Sequence, residues 1–112
     1  MQAAERGKTP APDLAWTKLG IRLSSLAAEV VTRVNPHLHG GLEVVQVRPD
    51  SAAAKAGIKK GDVLVGLHQW ETLTADNIAY VLTNPDLNSF MPLSFCIIRS
   101  GQVRRGWVQQ LD

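Results

Sequence analysis

The chain has 112 residues, 45% of them hydrophobic and 20% charged, with a formal net charge of +2. This is the size and composition of one small globular domain, too short for two ordinary cores and too apolar for a disordered chain. With 5% aromatic residues and no basic stripe, nucleic-acid binding is not expected.

The longest wholly apolar run is short, as in Phe95-Cys96-Ile97-Ile98, whereas a membrane helix needs roughly 20 residues, so none is expected. A single cysteine, Cys96, excludes an internal disulfide and a four-cysteine zinc site. Its apolar setting predicts a small buried hydrophobe rather than a reactive thiolate.

Residues 1 to 13 are polar, contain Pro10 and Pro12 and show no period of 2 or 3.6. They read as a linker or the cut edge of a longer chain, with one domain over 14 to 112. The N-terminus lacks the apolar centre of a signal peptide, so the compartment is not legible from it.

From Leu19 the pattern changes. Leu19, Ile21 and Leu23 alternate with Gly20, Arg22 and Ser24, the period of a strand with one buried face. Leu26, Val30 and Val34 follow at helical spacing, with Ser24 and Ser25 as candidate caps and Asn35-Pro36 as the stop. After Gly40-Gly41, the Val-rich segment Leu42 to Val47 predicts a second strand ended by Pro49.

Asp50 or Ser51 can cap a short helix over Ala52 to Ala56, and Gly57 stands where a left-handed residue ends it. A turn at Lys60-Gly61-Asp62 leads into Val63 to Leu67, a continuous apolar run suited to a buried central strand. Thr74 then caps an amphipathic helix over Ala75 to Thr83, stopped by Asn84-Pro85. Leu93 to Ile98 and Val103 to Val108 flank Arg99-Ser100-Gly101-Gln102 and predict a hairpin. The sum is a small α+β domain of about five to six mostly antiparallel strands in a partly open barrel or sandwich, capped by two helices.

The stretch Val47-Arg48-Pro49-Asp50-Ser51-Ala52-Ala53-Ala54-Lys55-Ala56-Gly57-Ile58-Lys59-Lys60-Gly61-Asp62-Val63-Leu64 resembles the most recognisable segment of a PDZ domain, and the likeness extends from about Leu19 to Leu111. These residues build the scaffold: Ala54 and Ala56 permit close packing, Gly57 ends the helix and Gly61-Asp62 turns the chain. With the carboxylate-loop strand first and a strand over Gln102 to Leu111 last, the element order resembles the permuted PDZ domains of bacterial-type proteases. It is most similar to those of HtrA (Deg) trypsin-like serine proteases.

That resemblance implies a function. Lys18-Leu19-Gly20-Ile21 matches the loop whose backbone N–H groups hold a ligand's C-terminal carboxylate, with Gly turning amides toward an anion. The peptide would add as a strand along a groove walled by Leu19, Ile21 and Leu23 on one side and Ala75, Ala79 and Leu82 on the other. The same six residues are also credible core positions. Ala75 stands where some PDZ domains carry a His that selects Ser or Thr ligands, so apolar C-termini are expected.

The resemblance also implies a partner protease domain, a cell-envelope or periplasmic location with a part in protein quality control, no cofactor and no catalytic residues in this chain. Alternatives are a PDZ domain of a site-2 or C-terminal processing protease, one from a secretion system, or a purely structural assembly domain. His37, His39 and His68 lack further metal ligands at recognisable spacing, and no nucleophile elbow or phosphate loop occurs. Departures from the family pattern are His68-Gln69-Trp70-Glu71 after the central strand and the long segments Glu29 to Gly41 and Asn84 to Pro92. Trp70 and Phe90 are expected to pack against the core.

Overall fold

The computed structural model describes residues 14–112; the linker expected over residues 1 to 13 lies outside them. The strands are β1 (Ile21–Ser25), β2 (Leu42–Val47), β3 (Val63–Leu67), β4 (Trp70–Glu71), β5 (Leu93–Arg99) and β6 (Gln102–Val108). The α-helices are α1 (Ala28–Val34), α2 (Ala52–Lys55) and α3 (Ala75–Leu82), joined by a π-helical turn at Ala15–Leu19 and a 3-10 turn at Leu87–Phe90.

All pairings are antiparallel. The sheet runs β1-β2-β3-β5-β6, with β4 folded back on β3. The predicted central position of Val63 to Leu67 is thus observed, because β3 pairs with three neighbours. Among the described residues the sheet stays open, with β1 and β6 as its end strands.

Alternation along the strands divides the apolar residues between two faces. On one face Leu42 and Val44 of β2, Leu64 and Leu67 of β3, Leu93, Phe95 and Ile97 of β5 and Val108 of β6 join Ala52 and Ala53 of α2 and Ile78, Val81 and Leu82 of α3 in the main core. On the other face Val65 and Ile98 are covered by Val31 of α1, and half-buried Cys96 packs beside them. Full burial of Cys96 is therefore corrected: it lies on the thinly covered face, beneath one short helix.

Local chemistry explains the boundaries. Ser51 caps α2, its Oγ accepting from Ala54 N–H at 3.1 Å, and Gly57 (φ 93°) ends it while Ile58 N–H donates to Ala53 C=O at 3.0 Å. At α3, Asn77 Oδ1 accepts from Leu73 and Thr74 N–H groups at 2.8 and 3.0 Å. The expected caps of α1 are not used. Ser24 and Ser25 extend the β1–β2 ladder opposite Glu43 and Leu42, and the helix starts after Ala27 without a side-chain cap.

The turn at Gly61-Asp62 carries an ion pair that the local motif does not announce. Asp62, 2% exposed, accepts from Arg99 Nε at 2.8 Å and Nη2 at 2.6 Å. It also accepts from Lys59 N–H at 2.8 Å, while Arg99 Nη2 reaches Gly57 C=O at 2.8 Å. One bidentate contact ties the end of α2, the turn before β3 and the end of β5 together. The bond to Asp62 holds the guanidinium proton more tightly, against the opposing effect of burial.

Candidate functional site

The loop before β1 is shaped by its glycine. Lys18 and Leu19 close the π-helical turn, and Gly20 caps it in the left-handed region (φ 85°, ψ 30°). Gly20 N–H donates back to Ala15 C=O at 2.8 Å, and Gly20 C=O accepts from Arg48 N–H at 2.7 Å. A Cβ at Gly20 would overlap Ser51 Cβ and lie 2.6 Å from Ser51 Oγ. The loop is therefore seated on the N-cap of α2, the same residue that opens the sequence motif's helix.

Its other flank is held by the last described residue. Asp112 N–H donates to Lys18 C=O at 2.9 Å. The Asp112 carboxylate accepts from Arg48 Nη2 at 2.6 Å and from Ala52 N–H at 3.2 Å. Burial pushes this carboxyl up, but the Ala52 N–H, the Arg48 bond and the nearby charges of Arg48 and Lys55 outweigh it and hold it below its usual range. Arg48 also lies 5.4 Å from the centre of the Trp16 ring, over which Arg22 sits at 4.2 Å.

The expected groove residues fall into two groups. Leu19 and Ile21 are fully buried and Leu82 is 5% exposed, all within the main core, so their packing role is established. Leu23 is half-buried against the same core. On α3, Ala75 is exposed and Ala79 half-buried, and their spacing with Leu82 forms a stripe beside the buried one of Ile78 and Val81. The helix packs on the π-helical turn, which brings its small-residue stripe to the same side of the sheet as Leu23. Because β1 ends the sheet, its outer edge carries no ladder partner among the described residues.

Two cavities border the C-terminal segment that braces this loop. One, of about 310 Å³, is lined by Ala52, Lys55, Ala56, Trp107 and the Gln109 to Asp112 segment. The other, of about 340 Å³, lies between Lys18, Leu87, Asn88, Met91 and that same segment. At the far end of α3, Trp70 and Phe90 pack partly buried against the core as expected. They belong to a ring cluster in which His68 stacks on Phe90 at 4.2 Å and Trp70 meets Tyr80 edge-on at 5.2 Å. The His68-Gln69 turn is the start of a small hairpin, because β4 pairs Trp70 with Leu67.

The histidines do not converge. His39 is engaged with Glu71, Nδ1 to Oε1 at 2.7 Å, and its N–H donates to Glu71 Oε2 at 2.9 Å. No group of three potential metal ligands occurs among the described residues. Nor is any helix among them long and apolar enough to cross a membrane.

An open antiparallel sheet with α3 packed on the glycine-ended turn that leads into its first strand is the architecture of a PDZ domain, and comparison with solved structures shows that fold. Over 84% of this chain, the HtrA3 PDZ domain bound to a phage-derived ligand (FGRWV) superposes with a TM-score of 0.64 at 19% identity, covering 83% of that chain. The HtrA-type protease AlgW with a decapeptide gives 0.61 at 22% identity, the match spanning 29% of AlgW. The PDZ domain of EpsC from Vibrio cholerae gives 0.56 at 17% identity over 97% of its length. No family model matches the sequence, and no curated protein sequence matches it at a significant level.

Proposed function

We propose that this chain is a peptide-binding module that takes the apolar C-terminus of another polypeptide as an added strand on β1. The observation that carries the reading is the outer edge of β1, unpaired among the described residues and entered through the left-handed Gly20, on whose turn α3 packs. The ligand carboxylate would sit at the Lys18 to Ile21 backbone, and its alternate side chains over Leu23, Ala75, Ala79 and Leu82. Gly20 N–H already donates to Ala15 C=O, so an arriving carboxylate would displace that carbonyl rather than fill an unpaired donor.

The likeness to HtrA-type proteases supports a place as the substrate-recognition or regulatory part of a trypsin-like serine endopeptidase of the cell envelope. In such a protein, ligand binding would tether substrate or bias the protease between states.

The test is binding of a C-terminal peptide library to the chain, as free acids and as amides. Gly20→Val is an unsuitable control, because the Ser51 overlap couples it to folding. Ala75→Glu is better: the position is exposed, and an acid in the first helical turn is favourable. Selective binding of apolar free acids, weakened about tenfold on amidation and about tenfold by Ala75→Glu through burial of an unpaired charge, is expected. Binding indifferent to amidation, or unaffected by Ala75→Glu, would refute the assignment.

A further inference from the structure

Among the described residues the sheet has a second open edge, on β6, at the opposite end from β1. Residues Gln102 to Arg105 and Trp107 are exposed. The register places Val103 opposite Ile98, Arg105 opposite Cys96 and Trp107 opposite Ser94, so these three share the thinly covered face. There Val103 is 44% and Trp107 51% exposed, continuing the Val65, Ile98 and Cys96 surface beyond the reach of α1. On the opposite face Gly106 lies under the Phe95 ring, where a Cβ would come within 2.5 Å of Cζ.

The charge on this edge has one sign. Arg104 and Arg105 project to opposite faces at adjacent positions, and neither side chain has an ion pair or hydrogen bond among the described residues. Arg99, by contrast, is committed to Asp62. Lys55 stands in the cavity that Trp107 lines, and the acid there, Asp112, is already paired with Arg48. A second copy added antiparallel across Arg104 and Arg105 would bring like charges face to face, which destabilises a strand pair.

We infer that β6 is a second docking edge, which takes an extended acidic segment of a partner polypeptide as a seventh strand. Backbone ladder bonds supply the addition, adjacent acids answer Arg104 and Arg105 on the two faces, and apolar residues of the incoming strand cover Val103 and Trp107. The site is independent of β1 and of any ligand terminus.

The probe is an acetylated and amidated peptide, Thr-Val-Thr-Glu-Glu-Val-Thr, which added antiparallel sets its two Glu opposite Arg105 and Arg104 and its two Val opposite Trp107 and Val103, with its Lys-Lys counterpart as control, followed by amide chemical shifts of the chain and by tryptophan fluorescence. Amidation removes the terminal carboxylate that the proposed β1 site reads, and an apolar free-acid peptide present in excess occupies that site, which distinguishes the two edges. Expected are shifts confined to β6 and its β5 neighbours, a fluorescence change abolished in Trp107→Phe, and no effect of the free-acid competitor. Arg104→Glu/Arg105→Glu, at exposed positions, should weaken binding about tenfold while shifts elsewhere stay in place, and the Lys-Lys peptide should not bind. Equal binding of both peptides, perturbation along β1, no saturation, or concentration-dependent dimerisation through β6 would overturn the proposal.

Discussion

Gly20→Ala should cost far more than its chemistry implies. Holding a non-glycine residue at φ 85° costs about 1–2 kcal/mol, and Gly57→Ala, at φ 93° with open space around its Cβ, should show that cost alone. At Gly20 the new Cβ also overlaps Ser51, a 1% exposed residue that caps α2, and forcing them apart adds about 1–3 kcal/mol. The sum, about 2–5 kcal/mol, is a large share of a small domain's stability. Ser51→Gly supplies the decisive background. Glycine is an acceptable N-cap, so that change alone costs a few tenths of a kcal/mol from capping, and it removes both clashing atoms. In it Gly20→Ala should fall to about 1–2 kcal/mol, a coupling of about 1–3 kcal/mol read from urea midpoints at constant slope. The same cost for Gly20→Ala in both backgrounds would refute the claim that the loop is seated on Ser51.

Three further outcomes follow from contacts away from that loop. Asp62→Asn should lower stability by about 2–3 kcal/mol in urea unfolding; the loss is below that of a fully buried pair because the Arg99 side chain keeps 30% of its surface exposed. Gly106→Ala should cost about 1–3 kcal/mol by pressing on the Phe95 ring, with most of the loss absent in a Phe95→Leu background, as a double-mutant cycle would show. In acid, Glu71 sets a measurable slope: burial pushes its carboxyl up, but the His39 N–H, side chain and charge together hold it below its usual range. A depressed folded pKa means stability present above the ordinary carboxylate range near pH 4 and lost as pH falls through the folded value. Glu71→Gln should flatten the fall in urea midpoint between about pH 5 and 3, and an unchanged slope would contradict this.

Much of the fold is legible because its signals are local. The segments Leu42 to Val47 and Val63 to Leu67 are strands with the predicted limits, since each is a Val/Leu run bounded by glycine, proline or a Gly-Asp turn. Ser51 and Gly57 act as predicted because capping depends on a few adjacent residues. What escaped the sequence is long-range. The Asp62–Arg99 pair joins residues 37 apart, and the Arg48–Asp112 pair joins residues 64 apart; no periodicity reports such partners. The Ser24 and Ser25 caps failed because tertiary pairing with β2 claimed those residues for the ladder. At the candidate site the sequence leaves the six groove residues as either wall or core, because periodicity marks an apolar face without saying what covers it. The structure spends Leu19, Ile21 and Leu82 on the core and leaves Leu23, Ala75 and Ala79 as the accessible part.

The loop's bonding also bears on how a ligand would be held. Gly20 is fixed through both its backbone groups, Lys18 C=O is tied to Asp112 N–H, and Arg48 links that segment to the ring of Trp16. A loop ordered in advance loses little entropy on binding, which favours affinity. The commitment of Gly20 N–H to Ala15 acts in the other direction. Under the proposed function, a terminal carboxylate would gain a charge-assisted bond there only by releasing a neutral one, and the difference between the two is about 1–2 kcal/mol. The terminus should therefore set register and direction along β1, with most of the affinity coming from ladder bonds and from apolar side chains over Leu23 and Ala79. Shortening the ligand from its N-terminal end should then weaken binding more than amidating it, while amidation should abolish the preference for one register. Calorimetry on a truncation series of the best free-acid peptide measures the first, and cross-strand contacts to β1 measure the second. A ligand that loses more from amidation than from removal of its upstream residues would show that the Gly20–Ala15 bond does not compete.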